Sequence, residues 1–380
     1  MAEVSDKHRM LADSVGRFVR ERLAPLEAQI DRDAYIAPEL LGRLKRDACA
    51  LGLSGYNLPE SLGAPGLSIA AQCVIDELGG HTSMALCEAL GHLPGSLRFV
   101  DEAQRQWLLD PLLRAETSIA YALTEPSAGS DLNAVATRAE RVADGWRLNG
   151  TKHFISAAEH ADHVIVLAVT DAQAPLKSRL STFIVARGTP GFTLRRRFRT
   201  MGWRGHPLSE FTLEDCLVPD THVLGAIGAG FGTMMATVNN DRLMVAAKCV
   251  GIAQALIDLS IPYARERHTF GKPLAGHQAI QFMIADNDVD TVAARALVQQ
   301  AAALGDAGDP AFRIAASRAK LFASEAAGRV ADRVMQLFGG AGYMTDLPIE
   351  RFYRDVRAFR IGEGTSEMQR LQIARHVLAH

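Results

Sequence analysis

One turn-rich run, Leu123-Thr124-Glu125-Pro126-Ser127-Ala128-Gly129-Ser130-Asp131, gathers a proline, two small residues and several short oxygen-bearing side chains. Such a loop offers backbone amides and hydroxyls to a polar ligand instead of filling a core. Four further runs carry chemistry. Asn149-Gly150-Thr151-Lys152-His153-Phe154-Ile155-Ser156 is a turn feeding a strand that ends in an aromatic and a hydroxyl. Arg265-Glu266-Arg267-His268-Thr269-Phe270-Gly271-Lys272-Pro273-Leu274 reads as a helix ending in a basic, glycine-broken corner, with Gln278 just beyond. Gln336-Leu337-Phe338-Gly339-Gly340-Ala341-Gly342-Tyr343 is a glycine-rich helix terminus, and Arg360-Ile361-Gly362-Glu363-Gly364-Thr365-Ser366-Glu367 a loop opening the last helix. Each has an ordinary explanation by itself: Phe154 as packing, Gly339-Gly340 as a helix cap, Glu363 as a solvated charge beside a Thr365 N-cap.

The elements that must position these residues follow from periodicity. From Asp6 to about Leu113 apolar residues recur at helical spacing (Leu11, Val15, Phe18, Val19, Leu23), with further helices at 38–51, 68–78 and 102–113. Texture changes near Thr117: Trp146–Gly150, His163–Val169, Ser181–Ala186 and Phe211–Leu213 read as strands of a small antiparallel barrel or sandwich. From Phe231 the helical pattern returns, with segments 231–268, 278–304, 311–337 and 365–378 packing as a four-helix bundle. The expected organisation is α+β and multidomain: a helical domain over 1–117, a β domain over 118–226 and a helical bundle over 227–380.

Bulk properties exclude several classes. A formal net charge of −2 over 380 residues gives no global field for nucleic acid or an acidic membrane. The Arg195-Arg196-Arg197 and Arg199 cluster reads as a solvated face. No apolar stretch is expected to span a bilayer, and Met1–Lys7 lacks a signal-peptide core, so a cytoplasmic protein without membrane insertion is expected. Five scattered cysteines without a Cys-x-x-Cys pair suggest reduced thiols, and His160 and His163 have no evident carboxylate partner, so no metal site is expected.

Taken together, in this order and spacing, the five runs resemble the acyl-CoA dehydrogenase family of flavoproteins along nearly the whole chain. The resemblance implies FAD held between three domains. It places Leu123, Thr124, Gly129 and Ser130 at the cofactor, Phe154 where the family usually has a tryptophan beside the ring, and Ser156 where a threonine hydroxyl reaches flavin N5. Arg267, Phe270, Gln278, Gln336, Gly339 and Gly340 match the pyrophosphate and adenine end, and Thr365 and Glu367 the last turn near the cofactor. Part of this set belongs to a neighbouring subunit in the family, which implies a homodimer or homotetramer.

The implied reaction removes the Cα proton of an acyl-CoA thioester while the β hydride goes to flavin N5, giving the trans-2-enoyl product. Glu363 matches the family's carboxylate base, and Gly364 lets backbone approach the substrate. Asp241 falls where a subset of members carries the base on a helix and is the alternative base. Arg242 is expected to order the site or contact the thioester with Ser130 and Gly364; otherwise it forms a buried salt bridge to Asp241. Gly362 replaces a common tyrosine, and Ala157-Ala158 a usual Asn-Gly, which suggests a branched, cyclic or bulky acyl group. Glu88 and His92 are polar where an acyl pocket wants apolar lining, or else lie at the surface. Electron-transfer flavoprotein is the implied acceptor. Rival readings are a flavin oxidase or oxygenase, a dehydrogenase of carrier-protein-tethered acyl groups, and a flavin-free scaffold, against which the acid at 363 and the cofactor-matching residues count.

Overall fold

Helices, sheet and helices succeed one another in the computed structural model, which describes residues 6–379. Residues 1–5, part of the stretch on which the signal-peptide reading rests, lie outside the described residues. The first helix, Asp6–Phe18, turns its Val15 and Phe18 into a core shared with Ile75 and Leu86, and the helix loosens into irregular turns before Pro25. Pro38–Ala50 and Ile69–Gly79 follow, the latter capped by Ser68, whose hydroxyl accepts from the Ala71 amide at 3.2 Å. Segment 102–113 is broken: a capping box between Asp101 and Gln104 starts it, but a wide turn at Arg105–Leu109 interrupts the expected single helix.

The middle of the chain forms one sheet of eight strands: β1 Ile119–Ala122, β2 Arg138–Val142, β3 Gly145–Ser156, β4 His163–Val169, β5 Leu180–Ala186, β6 Phe192–Arg197, β7 Leu208–Val218 and β8 Val223–Leu224. Spatial order is β6-β7-β3-β2-β4-β5-β8, with β1 also on β4. Antiparallel pairing dominates, yet β1 and β2 both meet β4 in parallel, so the sheet is mixed where pure antiparallel pairing was expected. Both β4 and β5 are buried on two faces. One packs around Trp146, Phe183 and Phe211, the other against Leu97, Leu108 and Leu109 of the N-terminal helices. That double burial explains their continuous apolar runs.

Gly230–Met235, Val238–Glu266, Gln278–Asp306, Phe312–Phe338, Ile349–Val356 and Ser366–Leu378 make up the C-terminal helices. The expected 231–268 segment breaks at Ala236-Thr237. Its long part crosses Ile69–Gly79 so closely that a Cβ on Gly251 would lie 1.8 Å from the Glu77 carbonyl oxygen. Segment Gly230–Glu266 is long and apolar enough to cross a membrane, contrary to expectation, but 72% of its most apolar window is buried inside the protein, as in a core helix. Ile349–Val356 escaped the periodicity reading because charged residues separate Ile349, Phe352 and Val356, all buried. Arg351 and Arg354 of this helix reach Glu27 and Asp31 of the short helix Glu27–Asp33, each at 2.8 Å, and clamp Ile349–Val356 to the N-terminal helices.

Candidate active site

Loop 123–131 is held from beneath by a buried ion pair. Glu125 is 5% exposed and accepts from Lys152 Nζ at 2.8 Å, the Ala136 amide at 2.7 Å and the Thr137 amide at 3.1 Å. Lys152, fully buried, also donates to the Leu123 carbonyl at 3.1 Å. Desolvation pushes the lysine down to about 8, opposed by Glu125, while its partner carboxyl is lowered despite burial by Lys152 and by the hydrogen bonds it accepts. A reciprocal turn between Glu125 and Ala128 finishes the scaffold. Glu125 and Lys152 thus shape the loop, leaving Thr124 half-buried and Gly129 and Ser130 exposed. Sequence reasoning gave neither residue a role; an acid and a lysine flanking one loop–strand junction were the available signal.

Beside this loop, β3 bulges. Its register with β7 slips between Lys152 and Ile155, and Phe154 adopts φ +59°, a left-handed conformation costly for an aromatic residue. The slip turns Phe154 outward, 53% exposed, with its ring centroid 4.7 Å from Phe198. Ser156 is exposed two positions on, and the His153 amide donates to the Thr124 carbonyl at 2.9 Å. Thr124, Phe154 and Ser156 therefore share one surface: an aromatic face flanked by hydroxyls, the donor set a flat heteroaromatic ring requires.

Glu363, in the loop before Ser366–Leu378, and Asp241, at the start of Val238–Glu266, are close enough to interact electrostatically. Glu363 has φ +52° between Gly362 and Gly364, and the Gly364 carbonyl is fixed by Lys320 Nζ at 2.6 Å and Gln369 Nε2 at 2.9 Å. Thr365 caps the last helix, accepting from the Met368 amide at 3.3 Å, and Glu367 is exposed. Glu363 is exposed, yet desolvation is the largest influence on its carboxyl. Its pKa is raised by that desolvation, against the pull of Lys320, Arg242 and Lys248. Asp241 is pushed up to about 8, first by desolvation and then by the charge of Glu363, with Thr237, Arg98 and Arg242 opposing. The Tyr121 hydroxyl, near both acids, is raised by burial and by their charges.

The alternative for Arg242, a salt bridge to Asp241, does not occur among the described residues. Its Nη1 donates to Asn239 at 3.2 Å and Ser317 at 3.4 Å, and its buried Nε has no partner among the described residues. Glu88 is half-buried, accepting from Lys45 at 2.8 Å and bonded to His206 at 3.1 Å. His92 does line a small internal cavity with Asp76 and Asn240, and burial depresses its pKa to about 3.

The remaining residues lie elsewhere. Arg267, Phe270 and Gln278 follow the far end of Val238–Glu266, where Phe270-Gly271, both at positive φ, turn a two-residue hairpin. Phe270 is 95% exposed at its tip. Gln336, Gly339 and Gly340 are exposed at the end of Phe312–Phe338, joined to the same region by Phe338 stacked on Tyr263 at 4.1 Å. Asp241 and Arg267 are separated by almost the whole 29-residue helix, about 40 Å.

Other expectations fare variously. All five cysteines are free, four of them buried. His160 does have a carboxylate neighbour, Glu159 at 2.9 Å, but no metal-binding cluster occurs among the described residues. In the arginine run, Arg195 pairs with Glu214, Arg196 lies over Phe198 and Arg197 donates to the Ala34 carbonyl.

Comparison with known proteins matches three family profiles in order: acyl-CoA dehydrogenase N-terminal domain over 5–116, middle domain over 120–216 and C-terminal domain over 228–378. The short-chain specific acyl-CoA dehydrogenase of Rattus norvegicus mitochondria is 36% identical over 381 residues, covering 99% of this chain and 91% of that protein. A chain in the structure titled for the electron transferring flavoprotein of Acidaminococcus fermentans superposes with TM-score 0.92 at 32% identity, over 100% of both chains. The FAD complex of PigA superposes with TM-score 0.93 at 26% identity over 99% of both. With the aromatic–hydroxyl platform suited to a flavin ring, these findings make the chain a member of the acyl-CoA dehydrogenase family, an FAD-dependent oxidoreductase acting on the CH–CH group of acyl-CoA.

Proposed function

We propose that the chain dehydrogenates an acyl-CoA thioester between Cα and Cβ, with Glu363 taking the Cα proton. The observation that carries this reading is the unequal environment of the two facing acids. Glu363 is drawn toward ionisation by Lys320, Arg242 and Lys248, whereas Asp241 is raised further by the charge on Glu363. Desolvation raises both carboxyls, and the three cations that favour the ionised form of Glu363 suit it to the base role. A carboxylate in a partly desolvated cleft is a stronger base than one in water, which suits a weakly acidic C–H.

FAD, when bound, supplies the acceptor for the β hydride. Phe154 would support the ring face, Thr124 and Ser156 would donate to its edge, and Leu123, Gly129 and Ser130 would hold the neighbouring polar groups. Thr365 and Glu367 would border the cofactor at the last turn. The unpartnered Nε of Arg242 is free for the substrate beside the Gly364 backbone. A Cβ at Gly362 would meet only the Ala358 carbonyl oxygen, at 3.7 Å, so the missing side chain leaves open volume for a branched, cyclic or bulky acyl group.

Arg267, Phe270, Gln278, Gln336, Gly339 and Gly340 are too far from Asp241 for one dinucleotide to touch both ends. We assign that set to the cofactor of a second copy, in a homodimer or homotetramer. The relative whose structure is titled for an electron transferring flavoprotein supports such a protein as electron acceptor. Anaerobic mixing of the holoprotein with a panel of acyl-CoA thioesters tests the reading: bleaching of the oxidised flavin absorbance is expected, and its absence with every thioester would overturn it.

A further inference from the structure

Three lysines are buried among the described residues, and two of them have a carboxylate: Lys152 has Glu125 at 2.8 Å and Lys248 has Asp76 at 3.9 Å. The third, Lys320 of Phe312–Phe338, is 0% exposed and forms no ion pair among the described residues. Its ammonium donates instead to a backbone oxygen, the Gly364 carbonyl, at 2.6 Å. A methionine would fill this space without the cost of burying a charge, so packing does not account for the lysine.

The carbonyl that Lys320 holds belongs to the residue after Glu363. Glu363 at φ +52° and Gly364 at φ +83° are left-handed in succession, a conformation that persists only where the surroundings enforce it. Two donors converge to do so: Lys320 from Phe312–Phe338, and Gln369 Nε2 from Ser366–Leu378 at 2.9 Å. The Ser366 hydroxyl donates to Glu325 at 2.9 Å and docks the last helix onto the one that carries Lys320. Three residues before Lys320, on the same face, Ser317 accepts from Arg242 at 3.4 Å. One face of Phe312–Phe338 thus supports both Arg242 and the Glu363 loop.

The titratable and charged groups around Lys320 are Cys249 and Arg242 of Val238–Glu266, Glu325 of its own helix and Glu363. Burial pushes the ammonium down to about 8, which leaves it charged at neutral pH. Desolvation raises the Glu363 carboxyl, and Lys320 opposes that rise more than Arg242 or Lys248 does.

We propose that Lys320 is a positioning residue for the base: it locks the loop that carries Glu363 and keeps a buried positive charge near that carboxylate. This rests on the dehydrogenase reading above and gives the proton-accepting step a second, fully buried determinant. The hydrogen bond fixes where the carboxylate sits, and the charge keeps it ionised in a desolvated place.

Two variants of the holoprotein separate these roles, with the limiting rate of anaerobic flavin bleaching and the thioester dissociation constant followed across pH. Lys320→Gln keeps a donor for the Gly364 carbonyl and removes the charge; Lys320→Met removes both. In the glutamine variant the acid limb of the rate is expected to move to higher pH, with most of the plateau retained. In the methionine variant the limb should move likewise and the plateau fall by about a hundredfold, the cost of displacing a reacting group by an ångström. Thioester affinity should hold in both. Should the methionine variant not fold, the limb of the glutamine variant decides. A limb at its wild-type pH in the glutamine variant, or a loss confined to thioester affinity, overturns the inference and leaves the dehydrogenase reading intact. Failure of every thioester to bleach the wild-type flavin overturns both.

Discussion

Glu363 raises the pKa of Asp241, although the two acids come from separate elements, one a positive-φ loop residue and the other in the first turn of a long helix. Interacting carboxyls titrate as a pair, and one member can accept a proton while the other stays neutral beside it.

Removing the ionised member should be far more damaging. Glu363→Gln is expected to slow flavin reduction by about 10²–10⁴-fold, the usual worth of a positioned base, with Asp241→Asn within about tenfold of wild type. Anaerobic stopped-flow bleaching measures both. The opposite ranking would move the base to Asp241.

Stability should depend on pH through Asp241. Its folded pKa, about 8, is above its ordinary 3.8, so the folded chain holds a proton that the unfolded chain releases. That group's contribution therefore falls as pH climbs from about 4 toward 8. Asp241→Asn should match wild type near pH 4 and melt higher as pH rises, by roughly a few degrees at pH 8. Thermal melts across that range check the trend.

Breaking the Glu125–Lys152 pair strands a buried charge. Lys152→Met should cost about 3–5 kcal/mol in urea unfolding, and adding Glu125→Gln should recover part of that loss. Strict additivity of the two losses would count against the pair as the loop's anchor.

Phe154 is exposed, so Phe154→Ala should change stability by less than about 0.5 kcal/mol while weakening FAD binding roughly fivefold or more. Phe154→Trp should restore affinity. Equilibrium titration of apoprotein with FAD, followed by flavin fluorescence, reads both effects.

Much of this architecture was legible because periodicity and turn chemistry agree locally. Val15 and Phe18, the apolar run of β4 and the Thr365 cap all meant what their neighbours implied. What escaped was long-range. The parallel partnership of β1 with β4 joins strands far apart in sequence, and Ile349–Val356 hides its apolar stripe behind charges needed to clamp Glu27 and Asp31. Among the site candidates, the meeting of Asp241 with Glu363 depended on packing no spacing rule reports. Lys248 is a buried charge in the apolar middle of Val238–Glu266, and its neighbours come from three other segments.

The length of Val238–Glu266 has a genetic consequence. If one end of that helix serves its own catalytic cleft and the other a sister subunit's pigment, a chain crippled at Glu363 and a chain crippled at Phe270 each spoil a different pocket. Co-expressed, they should form hybrids in which one pocket carries neither lesion, and activity should reappear from two inactive parents.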